Sequence, residues 1–121
     1  MFWPHHEAGI QRWVEALSPD PDVLGIVVAG SLTKGFGKAS SDIDGFIVLE
    51  SEAYRKRAER DDLIFWSQDL CDYEGGYVDA KYIDLGFIDL VAERGSEPAR
   101  SAFLGAQVRF SRVEDLEERC R

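Results

Sequence analysis

Two aspartates one residue apart, Asp42 and Asp44, open an apolar stretch that runs to Leu49, and the pair Gly30-Ser31 stands ten residues before them. On a strand, residues i and i+2 project to the same face, so these carboxylates are expected side by side. Two anions at that distance repel each other. The pair is costly without a divalent cation, and hard oxygen donors suit magnesium or manganese. Gly30, at the end of the apolar run 24–29, lets backbone approach a ligand closely, and Ser31 offers a hydroxyl and an N–H to phosphate oxygens. Carboxylates facing a phosphate grip are the arrangement two-metal phosphoryl chemistry needs: one metal orients the phosphates, the other lowers the pKa of an attacking hydroxyl. A third carboxylate is required to hold that second metal. By composition alone, Ser41-Asp42-Ile43-Asp44 would pass as a turn leading into an exposed strand; the Gly30-Ser31 pair at this distance favours chemistry.

The elements that must position these groups can be read from periodicity and breakers. Ile10, Trp13, Val14 and Leu17 at helical spacing predict a helix over 7–17, stopped by Ser18-Pro19-Asp20-Pro21. The continuous, β-branched run 24–29 predicts a strand buried on both faces. Residues 32–41, with Gly35, Gly37, Lys34 and Lys38, read as a loop, and 43–49 as a second strand. Ser51 is expected to cap a helix over 52–71 whose late apolar face carries Leu63, Ile64, Phe65, Trp66 and Leu70. Gly75-Gly76 turns the chain into a strand over 77–83, and Asp84 is placed to cap a helix over 85–94 that closes at Gly95. Pro98 suits the first turn of a short helix over 97–103; a strand over 107–110 and a charged helix over 113–121 complete the chain. Helices and grouped strands in this order predict an α+β (mixed α/β) fold, a small mixed sheet with helices packed against it.

Composition narrows the partners. The chain has 121 residues, 45% of them hydrophobic, and 14 Lys and Arg against 23 Asp and Glu, a net charge of -9. That acidity disfavours extended nucleic-acid binding, which draws its affinity from counterion release, but leaves room for a nucleotide held locally by metal, backbone N–H groups and one or two cations. Cys71 and Cys120 have neither disulfide-framework nor zinc spacing. No apolar run is long enough for a membrane span, and no signal sequence is evident, so a cytoplasmic protein is expected.

The stretch Val28-Ala29-Gly30-Ser31 through Ser41-Asp42-Ile43-Asp44-Gly45-Phe46-Ile47-Val48 resembles the superfamily that includes DNA polymerase β, aminoglycoside nucleotidyltransferases and the minimal nucleotidyltransferase antitoxins. Its signature is a Gly-Ser or Gly-Gly pair, a spacer of this length and Asp-x-Asp. The resemblance covers roughly residues 24–83; the later Arg94-Gly95-Ser96-Glu97-Pro98-Ala99-Arg100 looks like the segment just after the catalytic core in antibiotic-type members. It implies a nucleotidyltransferase fold, Mg2+ (or Mn2+), and transfer of a nucleoside monophosphate from a nucleoside triphosphate to an acceptor hydroxyl with release of pyrophosphate. The acceptor would be a small molecule such as an aminoglycoside, or a protein side chain. A third acidic residue comes from a later strand in the family. Asp79, between Val78 and Ala80, matches that position best; Asp84, which reads as a helix cap, and Asp89, within a helix, are the alternatives. Larger relatives continue into a helical domain that shapes the acceptor pocket, so residues 1–121 are expected to be a single catalytic domain without it.

The expected catalytic and metal-holding set is therefore Asp42, Asp44 and Asp79, and the expected nucleotide-binding set is Gly30, Ser31, Lys34, Ser41 and Lys81. Lys34 and Lys38 either neutralise phosphate or are simply solvated. Lys81, two residues after Asp79, shares its face. His5 and His6 read as incidental residues of a frayed end, the 55–60 run of alternating charge as a solvated helix face, and Phe65 and Trp66 as core rather than as a base-stacking surface. Two functions fit this pattern: the nucleotidyltransferase, as a homodimer or with a partner subunit completing its acceptor pocket, and a non-catalytic, antitoxin-type module that binds a partner protein.

Overall fold

The computed structural model describes residues 3–30, 42–71, 76–94 and 106–113. The expected short helix over 97–103 and nearly all of the expected helix over 113–121 lie outside them. The first helix, α1 (Pro4–Leu17), starts three residues earlier than its apolar spacing suggests. Proline is at home in a first turn, where its missing N–H would be unpaired anyway, and the Trp3 carbonyl accepts from the N–H groups of His6 and Glu7 at 3.0 Å each. His6 is consequently buried, not part of a frayed end.

Two strands come next, β1 (Val23–Ala29) and β2 (Ile43–Leu49), then α2 (Ser51–Glu59). The cap of α2 is Glu50, not Ser51: its carboxylate accepts from the N–H groups of Glu52 and Ala53 at 3.0 and 3.3 Å. The larger correction concerns the end of this helix, which stops at Glu59 rather than continuing to residue 71. Asp61 takes a left-handed conformation (φ 54°), the Asp61 N–H donates to Ala58 O at 3.1 Å and the Asp62 N–H to Arg57 O at 2.9 Å. This is the paired closure that usually recruits glycine, filled here by an aspartate. Residues 64–67 then form a strand, β3 (Ile64–Ser67), followed by β4 (Val78–Asp84), α3 (Leu85–Arg94) and β5 (Gln107–Ser111). Asp84 does cap α3, accepting from the Phe87 N–H at 2.8 Å.

The five strands lie in the order β3-β4-β2-β1-β5, with β2 and β4 parallel and the other neighbours antiparallel. Strand alternation divides the side chains between two faces. One face carries Ile26, Val28, Ile43, Ile47, Val78, Ala80 and Tyr82 and is closed by Ile10 and Trp13 of α1, with Ala53 and Tyr54 of α2 packed alongside. On the other, Val27, Val48 and Ile83 pack with Ile88 of α3. Because α3 grows from the far end of β4, this second layer covers the end of the sheet near Leu49 and Asp84, while Asp44 and Asp79 sit towards its opposite end. A bidentate pair between Glu7 and Arg109 ties α1 to the edge strand β5 and holds the Glu7 carboxyl below its ordinary range.

Candidate active site

The three aspartates are brought together by register. Asp44 of β2 pairs with Asp79 of β4, and Asp44 also pairs with Ala29 of β1. Asp42 precedes β2 by one residue. The carboxylates therefore gather where β1 ends and where β2 and β4, being parallel, both begin. Gly30 turns away from β1 in a left-handed conformation (φ 82°), and a Cβ placed there would lie 2.7 Å from Asp44 Oδ2. Only glycine allows both that dihedral and that approach. A cavity of about 280 Å³ opens here, lined by Ala29, Gly30, Asp44, Gly45, Phe46, Asp79 and Lys81.

The electrostatics agree with the geometry. Partial burial pushes the Asp44 carboxyl up to about 6, and the neighbouring carboxylates Asp79 and Asp42 add to the effect. Among the described residues no three His, Cys, Asp or Glu side chains form a ready metal cage. The aspartates stand as crowded neighbours, and their chemistry fits a hard divalent cation: all donors are carboxylate oxygens, and the charge that disfavours Asp44 is what a cation relieves.

Of the sequence-predicted residues, Gly30, Asp42, Asp44, Asp79 and Lys81 converge on this end of the sheet. Ser31, Lys34, Lys38 and Ser41 lie outside the described residues. Asp84 caps α3 at the other end of β4, five residues from Asp79, and Asp89 is an exposed residue of α3. A larger cavity, about 350 Å³, lies near Leu49, Glu50 and Tyr82, and none of Asp42, Asp44 and Asp79 lines it. Its acidic residues Glu50 and Glu52 cap and pair within α2, and its Arg57 is held by Asp62 at 2.9 Å and stacks 3.9 Å over the Tyr82 ring.

Two residues next to the carboxylates were missed by sequence reasoning. The Tyr77 hydroxyl donates to Asp42, which holds the phenol above its ordinary value. Trp66, read as core, is 54% exposed and pairs across strands with Asp79. The spacing of Tyr77, two before Asp79, already put it on the same face; Trp66 required recognising β3.

The family model for the nucleotidyltransferase domain matches residues 10–98, and the chain belongs to that family. The five-stranded mixed sheet with its helices is consistent with that fold. No match was found among curated proteins. Among the described residues, no helix is long and apolar enough to cross a membrane.

Gly30→Ala tests the close approach. The added methyl must displace the Asp44 carboxylate and occupy a left-handed dihedral, a strain of roughly 1–2 kcal/mol. Calorimetry and thermal unfolding should show a fold that survives with a lowered Tm and a magnesium-nucleotide affinity reduced about tenfold, a loss of about 1.4 kcal/mol. Unchanged affinity would mean that Gly30 does not set the position of Asp44.

Proposed function

We propose that this chain transfers a nucleoside monophosphate from a magnesium-bound nucleoside triphosphate to an acceptor hydroxyl, releasing pyrophosphate. The observation that carries this reading is the register: Asp44 beside Asp79, with Gly30 closed against Asp44 at the end of β1, in a chain of the nucleotidyltransferase family. Asp42, Asp44 and Asp79 would hold the divalent cations, magnesium or manganese, whose contribution is to neutralise phosphate charge and acidify the acceptor hydroxyl. Gly30 and the segment after it grip the leaving phosphates. Lys81, exposed at the rim of the cavity, adds a cation for the triphosphate. Asp79 takes the proton from the acceptor hydroxyl. The acceptor oxygen bonds to the α-phosphorus, and the bond from that phosphorus to the oxygen bridging to the β-phosphate breaks. The placement of Asp84 as a helix cap at the opposite end of β4 supports Asp79 as the third carboxylate.

Binding of magnesium ATP and GTP, measured by calorimetry on the wild-type chain and on the Asp42→Asn/Asp44→Asn double variant, is the first test. Magnesium-dependent binding is expected for the wild type and should be lost in the variant. A folded wild type that binds neither nucleotide would turn the reading towards a non-catalytic module and a search for partner proteins.

A further inference from the structure

On the face that carries the carboxylates, the sheet continues into an apolar surface. Among the described residues β3 is an edge strand, paired only with β4, with Trp66 opposite Asp79 and Ile64 opposite Lys81. Residues directly opposite on antiparallel strands share a face and stand roughly 5 Å apart. Phe65, between them, turns to the other face and packs into the α1 core. Ile64 is 64% and Trp66 54% exposed, although few large apolar side chains among the described residues are left uncovered. The Trp66 ring lies beside that of Tyr77, with centroids 5.5 Å apart and planes tilted by 38°, and the Tyr77 hydroxyl is anchored on Asp42. A solvent-facing tryptophan braced by a tyrosine, one strand from a carboxylate cluster, contributes little to the core. Aromatic faces of this kind hold flat ligands.

Strand order says which ligand. In-line displacement at phosphorus places the entering and departing groups on opposite sides. The departing phosphates belong at the Gly30 end of β1, the reacting phosphorus at the carboxylates of β2 and β4, so the entering hydroxyl comes from the β3 side. We propose that Trp66 and Tyr77, with Ile64 at their flank, form the acceptor subsite, and that the acceptor presents a flat ring face next to its reacting hydroxyl. The ring is either aromatic or the C–H face of a sugar; both stack on indole. The inference rests on the nucleotidyl-transfer reading for its direction. Trp66 binds and orients, while Asp79 beside it receives the proton.

The test uses the full chain loaded with magnesium and a non-cleavable ATP analogue, titrated separately with N-acetyl-tyrosinamide and with methyl β-glucopyranoside. The indole N–H resonance of Trp66, assigned by its loss in Trp66→Phe, is followed by NMR, and binding of each probe is measured in parallel by calorimetry. One of the two probes should shift that resonance saturably, and which one identifies the ring type. Trp66→Ala should weaken that probe about tenfold, within the range that one stacked ring contributes; Trp66→Phe should keep most of its affinity, and both variants should bind the nucleotide analogue as the wild type does. Absence of saturable binding by either probe at tens of millimolar would overturn the subsite. So would a tenfold loss of nucleotide affinity in Trp66→Ala, which would make the platform a nucleobase site. A wild type that binds a ring probe and no nucleotide would sink the transfer reading and leave the ring subsite standing.

Discussion

Asp44→Asn should sharply slow nucleotidyl transfer and, without metal, make the protein more stable. The Asp44 carboxyl is held at about 6 in the folded chain by burial and by Asp79 and Asp42, against an ordinary value of 3.8. Between those values the folded state binds more protons than the unfolded one, so stability falls as pH rises from about 4 to about 6. Above that range the penalty is fully present; below it, both states are protonated and the penalty vanishes. After allowance for solvent screening at this half-exposed group, the penalty is on the order of 1 kcal/mol. Thermal unfolding in a chelator should therefore give the variant a higher Tm than the wild type at pH 8, with the difference shrinking towards pH 4. Magnesium and ATP should reverse the order, because a ligand that binds only the folded state stabilises the chain able to bind it. Transfer should fall by at least roughly a hundredfold, the scale of removing one preorganised electrostatic group from a reacting centre. A variant no more stable than the wild type at pH 8 would show that neither burial nor the neighbouring Asp79 and Asp42 penalises the charged Asp44.

The motif was legible before the fold because of where its residues lie. Gly30, Asp42 and Asp44 sit at the ends of two continuous apolar strands whose bounds are readable to within a residue, since 24–29 and 43–49 are too short and too β-branched for helices. Asp79 was reachable because it alternates with buried Val78 and Ala80. The stretch after α2 was not. Leu63, Trp66 and Leu70 fall at helical spacing as readily as Ile64 and Trp66 alternate with Phe65, and a short apolar run does not decide between the two periods. The deciding feature is the left-handed Asp61 and its paired backbone bonds, a closure normally announced by glycine. Missing it hid a strand and turned the exposed Trp66 into an expected core residue, so the sheet edge beyond Asp79 stayed invisible while the Gly30 and Asp44 end was plain. The parallel pairing of β2 with β4, which sets Asp79 against Asp44, depends on the crossover through α2 and β3, a long-range feature that local pattern does not carry.

The most damaging single substitution expected in the described residues is Gly45→Ala. Gly45 lies between Asp44 and Phe46 and pairs with Val28. A Cβ built there would fall 2.1 Å from the Val27 carbonyl oxygen and 3.0 Å from the Trp13 ring. The first neighbour is backbone of the adjacent strand and the second a fully buried indole, so neither can rotate aside. Relief requires β1 and β2 to separate or α1 to lift from the sheet, at a cost of about 3 kcal/mol or more, the upper end for overpacking. A marginally stable domain then loses much of its margin. The same movement carries Gly30 away from Asp44, since both contacts depend on the β1–β2 register. Chemical denaturation should show a much lower midpoint, and whatever folded fraction remains should bind magnesium nucleotide more weakly than the wild type. Trp13→Phe, which clears part of the space under Gly45, should recover some stability in the double variant if the indole contributes to the clash; no recovery would place the whole cost on the strand backbones.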